Sequence, residues 1–198
     1  MNRRSAIRAI GASAVSLLCC GARGARAAST AEDLSKALLL VATPDLDGPY
    51  RRTAIVAVPM GEKHIGFILN RASDVKLAAL LPDFPPAAKI ADPVYIGGPE
   101  MAGSLFAMVP RDPGGKAMRL FGDIFVTAAA DNLNRLIEQA PDEARFFAGF
   151  VGWMPGELAR ELEEGCWLVD EPEPATLFRR DTGALWEELL KKALATRV

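Results

Sequence analysis

The chain has very few of the residues on which metal and redox enzymes depend. His64 is the only histidine among 198 residues, and there are three cysteines. Cys19 and Cys20 lie in an apolar N-terminal run, so Cys166 is the only thiol in the rest of the chain. One cysteine cannot form an internal disulfide, a Cys-x-x-Cys redox motif or a structural zinc site. We therefore predict neither a metal site nor a cofactor.

Basic charge is also scarce once the N-terminus is set aside. The first 31 residues hold five arginines and no acidic residue, whereas the remainder has 18 basic and 25 acidic residues. The remainder thus carries a net charge of −7, and an acidic surface repels the phosphates of nucleic acids. We do not expect direct nucleic-acid binding, and the acidic helices predicted below are poor candidates for recognition helices.

No apolar run is as long as the about 20 residues that a membrane-spanning helix needs. The N-terminus instead has the layout of an export signal: the basic segment MNRRSAIR, a short apolar run, and small residues that favour cleavage near Ala27. Arg3 and Arg4 resemble a twin-arginine signal, although Ala6 stands where a bulky apolar residue is usual. We expect residues 1–28 to be a signal peptide and the protein to be periplasmic. The alternative is a mis-assigned start codon on a cytoplasmic protein.

Apolar periodicity and turn residues divide residues 36–196 into the strands and helices of one mixed α/β domain. Two strands joined by a short turn are predicted to form a hairpin, and Asp74 is expected to cap a short helix that follows it. The near-continuous apolar stretch 144–153 is typical of a strand covered on both faces. The predicted strands are 36–44, 54–60, 64–70, 93–99, 103–110, 118–121, 123–128, 144–153 and 166–170, and the main helices are 75–81, 130–140, 156–164 and 182–195.

The stretch VGWMPGELARELEEGCWLV, residues 151–169, has the features of a capped helix between two strands. Pro155 suits the first turn of a helix, and Gly165 suits its C-terminal cap. Trp153 and Trp167 would pack the ends of this helix against the sheet. We interpret the segment as structural rather than as a site. Its polar face, expected to contact water, comprises Glu157, Arg160, Glu161, Glu163 and Glu164.

The candidate ligand-binding residues lie instead at the ends of two strands. Asn70 and Arg71 end one strand, and Gly97, Gly98 and Glu100 end another. Arg71 could bind a carboxylate or a phosphate, and the two glycines would let a ligand approach the backbone closely. The competing, structural interpretation is that Arg71 forms an ion pair with Glu100 and both fix the loops.

Several of these segments together resemble the YqgE/AlgH family. The resemblance rests on GFILNR, PVYIGGP and GWMPGELARELEEGCWL, in this order, and covers residues 36–195. It implies a bent mixed sheet that forms a pseudo-barrel flanked by helices, and it brings the label of putative transcriptional regulator but no catalytic residue. A working export signal would exclude direct transcriptional control. The positions that match the family's motifs are Asn70, Arg71, Gly97, Gly98, Pro99, Gly152, Trp153, Pro155, Gly156 and Trp167.

The residues offer little support for an enzyme. A hydrolase would need Ser73 or Ser104 beside a base, but neither serine lies in a Gly-x-Ser-x-Gly turn, and His64 is expected in a hairpin. Cys166 lies beside a tryptophan and near glutamates, which favours a buried thiol over a redox thiol. We therefore predict a non-enzymatic regulatory or interaction protein that binds an unknown protein or a small anion. The alternatives are a cytoplasmic transcriptional regulator, a hydrolase or a thiol-redox protein.

Overall fold

The computed structural model describes residues 33–195 of the chain. Its first three strands are β1 (Leu38–Ala42), β2 (Ala54–Met60) and β3 (Lys63–Ile68). β1 pairs with β2, and β2 pairs with β3, both antiparallel. The predicted hairpin is therefore confirmed, and every residue of β1 is buried, as its unbroken apolar sequence requires.

Seven more strands and five α-helices follow along the described part of the chain. The strands are β4 (Ala72–Lys76), β5 (Pro93–Ile96), β6 (Glu100–Val109), β7 (Met118–Phe121), β8 (Ile124–Thr127), β9 (Arg145–Trp153) and β10 (Trp167–Asp170). The helices are α1 (Leu77–Leu80), α2 (Ala130–Gln139), α3 (Glu157–Glu163), α4 (Pro174–Leu177) and α5 (Leu185–Ala195).

The segment after β3 corrects the helix predicted over 75–81. β4 occupies the first part of this segment and pairs antiparallel with β5, so only the four residues of α1 are helical. The residue that precedes α1 is Lys76, and the predicted cap, Asp74, lies inside β4. Strand propensity depends on a partner strand, which a local apolar pattern does not reveal.

The strands form a strongly curled, half-barrel sheet with helices packed against it. The order along the sheet is β10-β1-β2-β3-β9-β6-β8-β7, and β4 and β5 form a branch that joins β9. The pairing of β5 with β9 is parallel, and the other pairings are antiparallel. This confirms the predicted mixed pseudo-barrel.

β9 is the centre of this arrangement because it pairs with three strands. β6 lies along one edge of β9, while the other edge pairs first with β5, at Phe147 and Ala148, and then with β3, from Val151 to Trp153. Gly149, between these two parts, has a φ of 68°, a conformation that glycine adopts without steric cost. The ends of β3 and β5 are thereby brought together beside the same strand.

Arg145, the first residue of β9, is a buried structural cation with 2% of its surface exposed. Its guanidinium donates hydrogen bonds to the carbonyl of Leu69, 2.9 Å away, and to that of Leu177. It also lies 3.9 Å from the centre of the Tyr95 ring, a distance at which the ring's electrons attract a cation. Arg145 therefore joins the end of β3 to α4.

Candidate functional site

The loop between β1 and β2 holds Tyr50 at the edge of the core. A short 3-10 turn, Gly48–Tyr50, begins at a glycine with a φ of 79°. The hydroxyl of Thr53 donates a hydrogen bond to the Tyr50 carbonyl at 2.6 Å. The Tyr50 ring lies 6.3 Å from the ring of Trp167, within the range of favourable aromatic pairs. The turn and the aromatic contact together set the position of the phenol.

Asn70 holds this loop against the end of β3. Its side-chain oxygen accepts a hydrogen bond from the Ala54 amide, and its side-chain nitrogen donates one to the Arg52 carbonyl, both at 2.9 Å. Arg52 has a φ of 55°, which is uncommon for a residue other than glycine. The Asn70 amide group thus stabilises a strained loop through both of its ends.

Arg71 is half-buried, and no ion pair within residues 33–195 involves it. The ion pair expected between Arg71 and Glu100 is therefore absent. Burial lowers the pKa of the Arg71 guanidinium, and the nearby Tyr50 raises it. A partly desolvated guanidinium with no carboxylate partner is available to bind an acceptor from another molecule.

Gly97 and Gly98, which follow β5, allow the chain to pass across β9 at a short distance. A Cβ atom on Gly97 would lie 2.2 Å from the Gly149 oxygen, and one on Gly98 would lie 2.2 Å from the Phe150 carbonyl carbon. The Gly97 amide donates to the Ala148 carbonyl at 2.9 Å, so it is already used within the sheet. Both glycines are thus explained by close packing of backbones.

Glu100 follows this crossing and opens β6. It lies opposite Phe150 of β9, and a Cβ on Gly152 would lie 3.4 Å from the Glu100 Cγ. The next residue, Met101, is exposed and has a φ of 48°, at an irregularity in the pairing of β6 with β9. Such strained conformations concentrate at functional sites. The strained backbone of Met101 therefore lies directly after Glu100.

Glu161 on α3 contradicts the expectation that the whole acidic face of this helix contacts water. Only 5% of its surface is exposed. The indole N–H groups of Trp153 and Trp167 donate to the same oxygen, Glu161 Oε2, at 2.9 and 2.8 Å. Burial raises the pKa of the Glu161 carboxyl, while the two indole hydrogen bonds oppose this rise. The tryptophans therefore pack the helix ends as predicted and also bind a buried carboxyl group.

Charged side chains from several separate elements act electrostatically on the Tyr50 hydroxyl. Burial raises the pKa of Tyr50 to about 12. The negative charges of Glu161, Glu100 and Glu157 add to that rise, because they oppose a phenolate. The positive charge of Arg71 acts in the opposite direction. We call the region formed by Tyr50, Arg71, Glu100, Glu157 and Glu161 the Tyr50 surface.

One residue of the loop before α3, Pro155, departs from its predicted role, whereas the glycine after the helix keeps its role. Pro155 lies ahead of the helix rather than in its first turn, since the residue that caps α3 is Gly156. Gly156 has a φ of 79°, and Gly165 after the helix has a φ of 74°, as the predicted glycine cap requires. The Glu157 carboxylate accepts a hydrogen bond from the Met154 amide at 2.9 Å, which closes the loop.

The other reactive side chains lie apart from one another. The Ser73 hydroxyl donates to the Val94 carbonyl at 2.6 Å, and His64 Nε2 donates to the Leu34 carbonyl at 2.9 Å. Within the described residues neither Ser73 nor Ser104 has a histidine or carboxylate as a hydrogen-bond partner. Cys166 is buried, which confirms the prediction of a buried thiol.

Residues 33–195 contain neither a metal-binding cluster nor a membrane-spanning helix. No group of three or more histidine, cysteine, aspartate or glutamate side chains there could hold a metal ion. Nor does that part of the chain contain a helix with the length and apolarity needed to cross a membrane.

A family model described as AlgH-like (DUF179) matches residues 39–196. The chain belongs to the AlgH-like family. It is 33% identical to a UPF0301 protein of Streptomyces coelicolor over 163 residues, which is 78% of this chain and 84% of that protein. It is 29% identical to a UPF0301 protein of Chlorobium limicola over 159 residues, covering 78% and 83%. The resemblance drawn from the motifs is therefore confirmed.

Two solved structures show the same fold. The solution structure of AlgH from Pseudomonas aeruginosa superposes with a TM-score of 0.67 at 26% identity, covering 82% of this chain and 87% of that one. The crystal structure of protein DIP2367 from Corynebacterium diphtheriae gives 0.66 at 23% identity, covering 80% and 86%. The fold of this chain is thus shared with proteins of two other bacteria.

Sequence reasoning missed three members of this site, Tyr50, Glu157 and Glu161. Tyr50 lies in a loop whose only visible signal is a Gly-Pro turn. Glu161 stands among four other polar residues of a helix, and only its spacing from Trp153 and Trp167 distinguishes it. A tryptophan N–H needs a partner when it is buried, which is the one signal that could have indicated Glu161.

Proposed function

We propose that this AlgH-like protein is a non-enzymatic interaction protein that binds a segment of a partner protein at the Tyr50 surface. The observation that carries the proposal is the half-buried guanidinium of Arg71, which has no ion pair within the described residues and lies near the Tyr50 hydroxyl. The phenol is protonated at neutral pH, because its ordinary pKa of 10 is already high and burial raises it to about 12, so it can donate a hydrogen bond. These two donors would bind a carbonyl of the partner.

The charges around the Tyr50 surface favour a polypeptide over a small anion. Three carboxyl groups act on the Tyr50 hydroxyl, against one guanidinium. A small anion bound at Arg71 would be repelled by Glu100 and Glu157. A polypeptide can present an acceptor to Arg71 and, a few ångströms away, an amide or a basic side chain to Glu100. Such mixed complementarity also gives specificity between partners.

The proposal can be tested by site-specific photo-cross-linking in cells. A photoreactive phenylalanine analogue at position 50 of the full-length chain should form a cross-link to one discrete partner, and Arg71→Gln should reduce its yield about tenfold or more. The same analogue at exposed Leu194 should give no such product, and Arg111→Gln, at an exposed arginine elsewhere, should leave the yield unchanged. A product that persists in Arg71→Gln, or that forms equally from position 194, would contradict the proposal.

We also propose that the protein acts after export from the cytoplasm. The support is the signal-like pattern of residues 1–28, which precede the start of the family match at Leu39. Fractionation of cells that express the full-length chain, with mass spectrometry of the N-terminus, should find a periplasmic product that begins near Ala28. A cytoplasmic product that retains residues 1–27 would contradict export and restore the regulator alternative.

A further inference from the structure

A concave feature lies on the half-barrel sheet, and none of the residues that define the Tyr50 surface lines it. It is a cavity of about 440 Å³, within the range of sites that hold small molecules. Its apolar walls come from β3, β6, β7, β8 and β9, through side chains such as Phe67, Phe106, Met118, Val126 and Phe150. Such a cavity would gain free energy by excluding water around an apolar ligand.

The polar part of the lining is small and lies at the end formed by the loop before β7. Lys116 and Thr127 are the polar side chains that line the cavity. The Thr127 hydroxyl donates to the Lys116 carbonyl at 2.8 Å, so its hydrogen is already used. Lys116 is the one charged residue in the lining, and no ion pair within residues 33–195 involves it.

Buried hydrogen bonds fix the backbone from which Lys116 extends. Asn132 on α2 is 4% exposed, and its side-chain nitrogen donates to the Gly114 carbonyl at 2.8 Å and to the Thr127 hydroxyl at 3.2 Å. Thr127, which is 3% exposed, links this group to Lys116. Two hydrogen bonds of this polar network are accepted by backbone carbonyls of the loop. The network therefore holds the backbone of Lys116 at the rim of the apolar cavity before any ligand arrives.

We propose that this cavity binds a straight-chain fatty acid, with the alkyl chain among the phenylalanines and the carboxylate at Lys116. One ammonium group matches one negative charge, whereas a phosphate dianion would leave charge unpaired in apolar surroundings. The walls offer no partner for polar groups along the chain. The ligand must therefore be apolar except at one end.

Binding of fatty acids of increasing length to the full chain, measured by isothermal titration calorimetry below their micellar concentrations, tests this proposal. Burial of each CH₂ contributes about 0.8 kcal/mol, so Kd should fall about fourfold per CH₂ from hexanoate to decanoate. Decanoate should bind more tightly than decanol, by about three- to tenfold, because only the acid pairs with Lys116.

Variants separate the cavity from the rest of the surface. Ala128→Trp, at an exposed residue that lines the cavity, should weaken decanoate binding at least tenfold, whereas Ala79→Trp, at an exposed alanine of α1, should not. Lys116→Gln should remove the preference for decanoate over decanol, and Lys191→Gln, at an exposed lysine of α5, should retain it. Both cavity variants alter exposed residues, so a change in binding would not reflect unfolding.

Two results would overturn the proposal. Equal affinity for decanol and decanoate in the unaltered protein would indicate an uncharged ligand. Failure of decanoate to bind saturably, or binding that Ala128→Trp leaves unchanged, would indicate that the cavity serves a polypeptide, from a partner or from residues 1–32, or that the fatty acid binds elsewhere. Neither result would affect the cross-linking test of the Tyr50 surface, so the two proposals can fail separately.

Discussion

Two arginines on either side of the end of β3 differ sharply in how their charges are used. Arg145 is buried, donates to the carbonyls of Leu69 and Leu177, and lies over the Tyr95 ring. Arg71, two residues after Leu69, is half-buried and has no ion pair within the described residues. The end of β3 therefore lies beside one arginine that the fold has enclosed and is followed by another that it has left accessible.

This difference in partners distinguishes a structural arginine from one available for binding, which the residue type alone does not. A buried cation that is surrounded by carbonyls and rings stabilises one packing arrangement, and breaking its contacts leaves unpaired groups. Partial desolvation of a cation without a partner lowers the stability of the folded chain, and no interaction within that chain compensates for this loss. Under the proposed function, an external ligand would supply the interaction that Arg71 lacks.

The largest effect is expected where β5 crosses β9, because this crossing brings the two arginine environments together. Gly98→Ala places a Cβ 2.2 Å from the Phe150 carbonyl carbon. The three nearest atoms all belong to the backbone of Phe150 and Val151, which cannot rotate away. We expect a loss of more than about 4 kcal/mol in the free energy of unfolding, or no folding at all. Urea denaturation followed by circular dichroism measures this loss. Gly152→Ala is the matched control, since its Cβ would meet no atom closer than 3.4 Å.

The next effect belongs to Arg145. Arg145→Met keeps most of the side-chain volume but leaves the carbonyls of Leu69 and Leu177 without their donor, so the free energy of unfolding should fall by about 3 kcal/mol. Arg111→Met removes an arginine that is 57% exposed from its pair with Glu143 and should cost less than about 1 kcal/mol. Equal losses in the two variants would mean that enclosure of Arg145 does not stabilise the fold.

How far the sequence predicts this molecule depends on whether the relevant interaction is local. β2, β9 and α2 are correctly placed from their apolar patterns, because burial determines those patterns directly. The sequence pattern places the last two residues of β4, Val75 and Lys76, at the start of a helix, because this exposed, mixed segment becomes a strand only through pairing with β5. The family followed from motifs that resemble it, and the pseudo-barrel was what that resemblance implied.

The candidate site was only partly predictable for a related reason. Asn70, Arg71 and Glu100 stand at strand ends, where a local rule points to them. That Asn70 bonds to the Arg52 carbonyl, or that Glu161 bonds two tryptophans, depends on contacts between distant segments. The roles of Gly97 and Gly98 also depend on β9, because a glycine that admits a ligand and a glycine that admits a strand look the same in sequence.

A smaller, pH-dependent effect is expected for Glu161. Burial raises the pKa of its carboxyl above the ordinary value of 4.5, so the folded state binds this proton more tightly than the unfolded state. The resulting stabilisation is complete below pH 4.5 and is lost as the pH rises through the raised pKa. Glu161→Gln stays uncharged, so its stability relative to the unaltered protein should increase with pH between 4 and 8. Urea denaturation across that range should show no such trend for Glu163→Gln, at an exposed glutamate of α3.

The smallest effect on stability is expected for Arg71, and it decides the comparison between the two arginines. Arg71→Gln removes a partly desolvated charge that has no ion pair in the described chain, so the free energy of unfolding should change by less than about 0.5 kcal/mol, and an increase is as acceptable as a decrease. The same variant should lose the cross-link from position 50. A loss above about 1.5 kcal/mol would place Arg71 with Arg145 as a structural cation. Unchanged stability together with a lost cross-link would instead assign it to the binding of a partner, because only a contact outside the folded chain can then account for the difference.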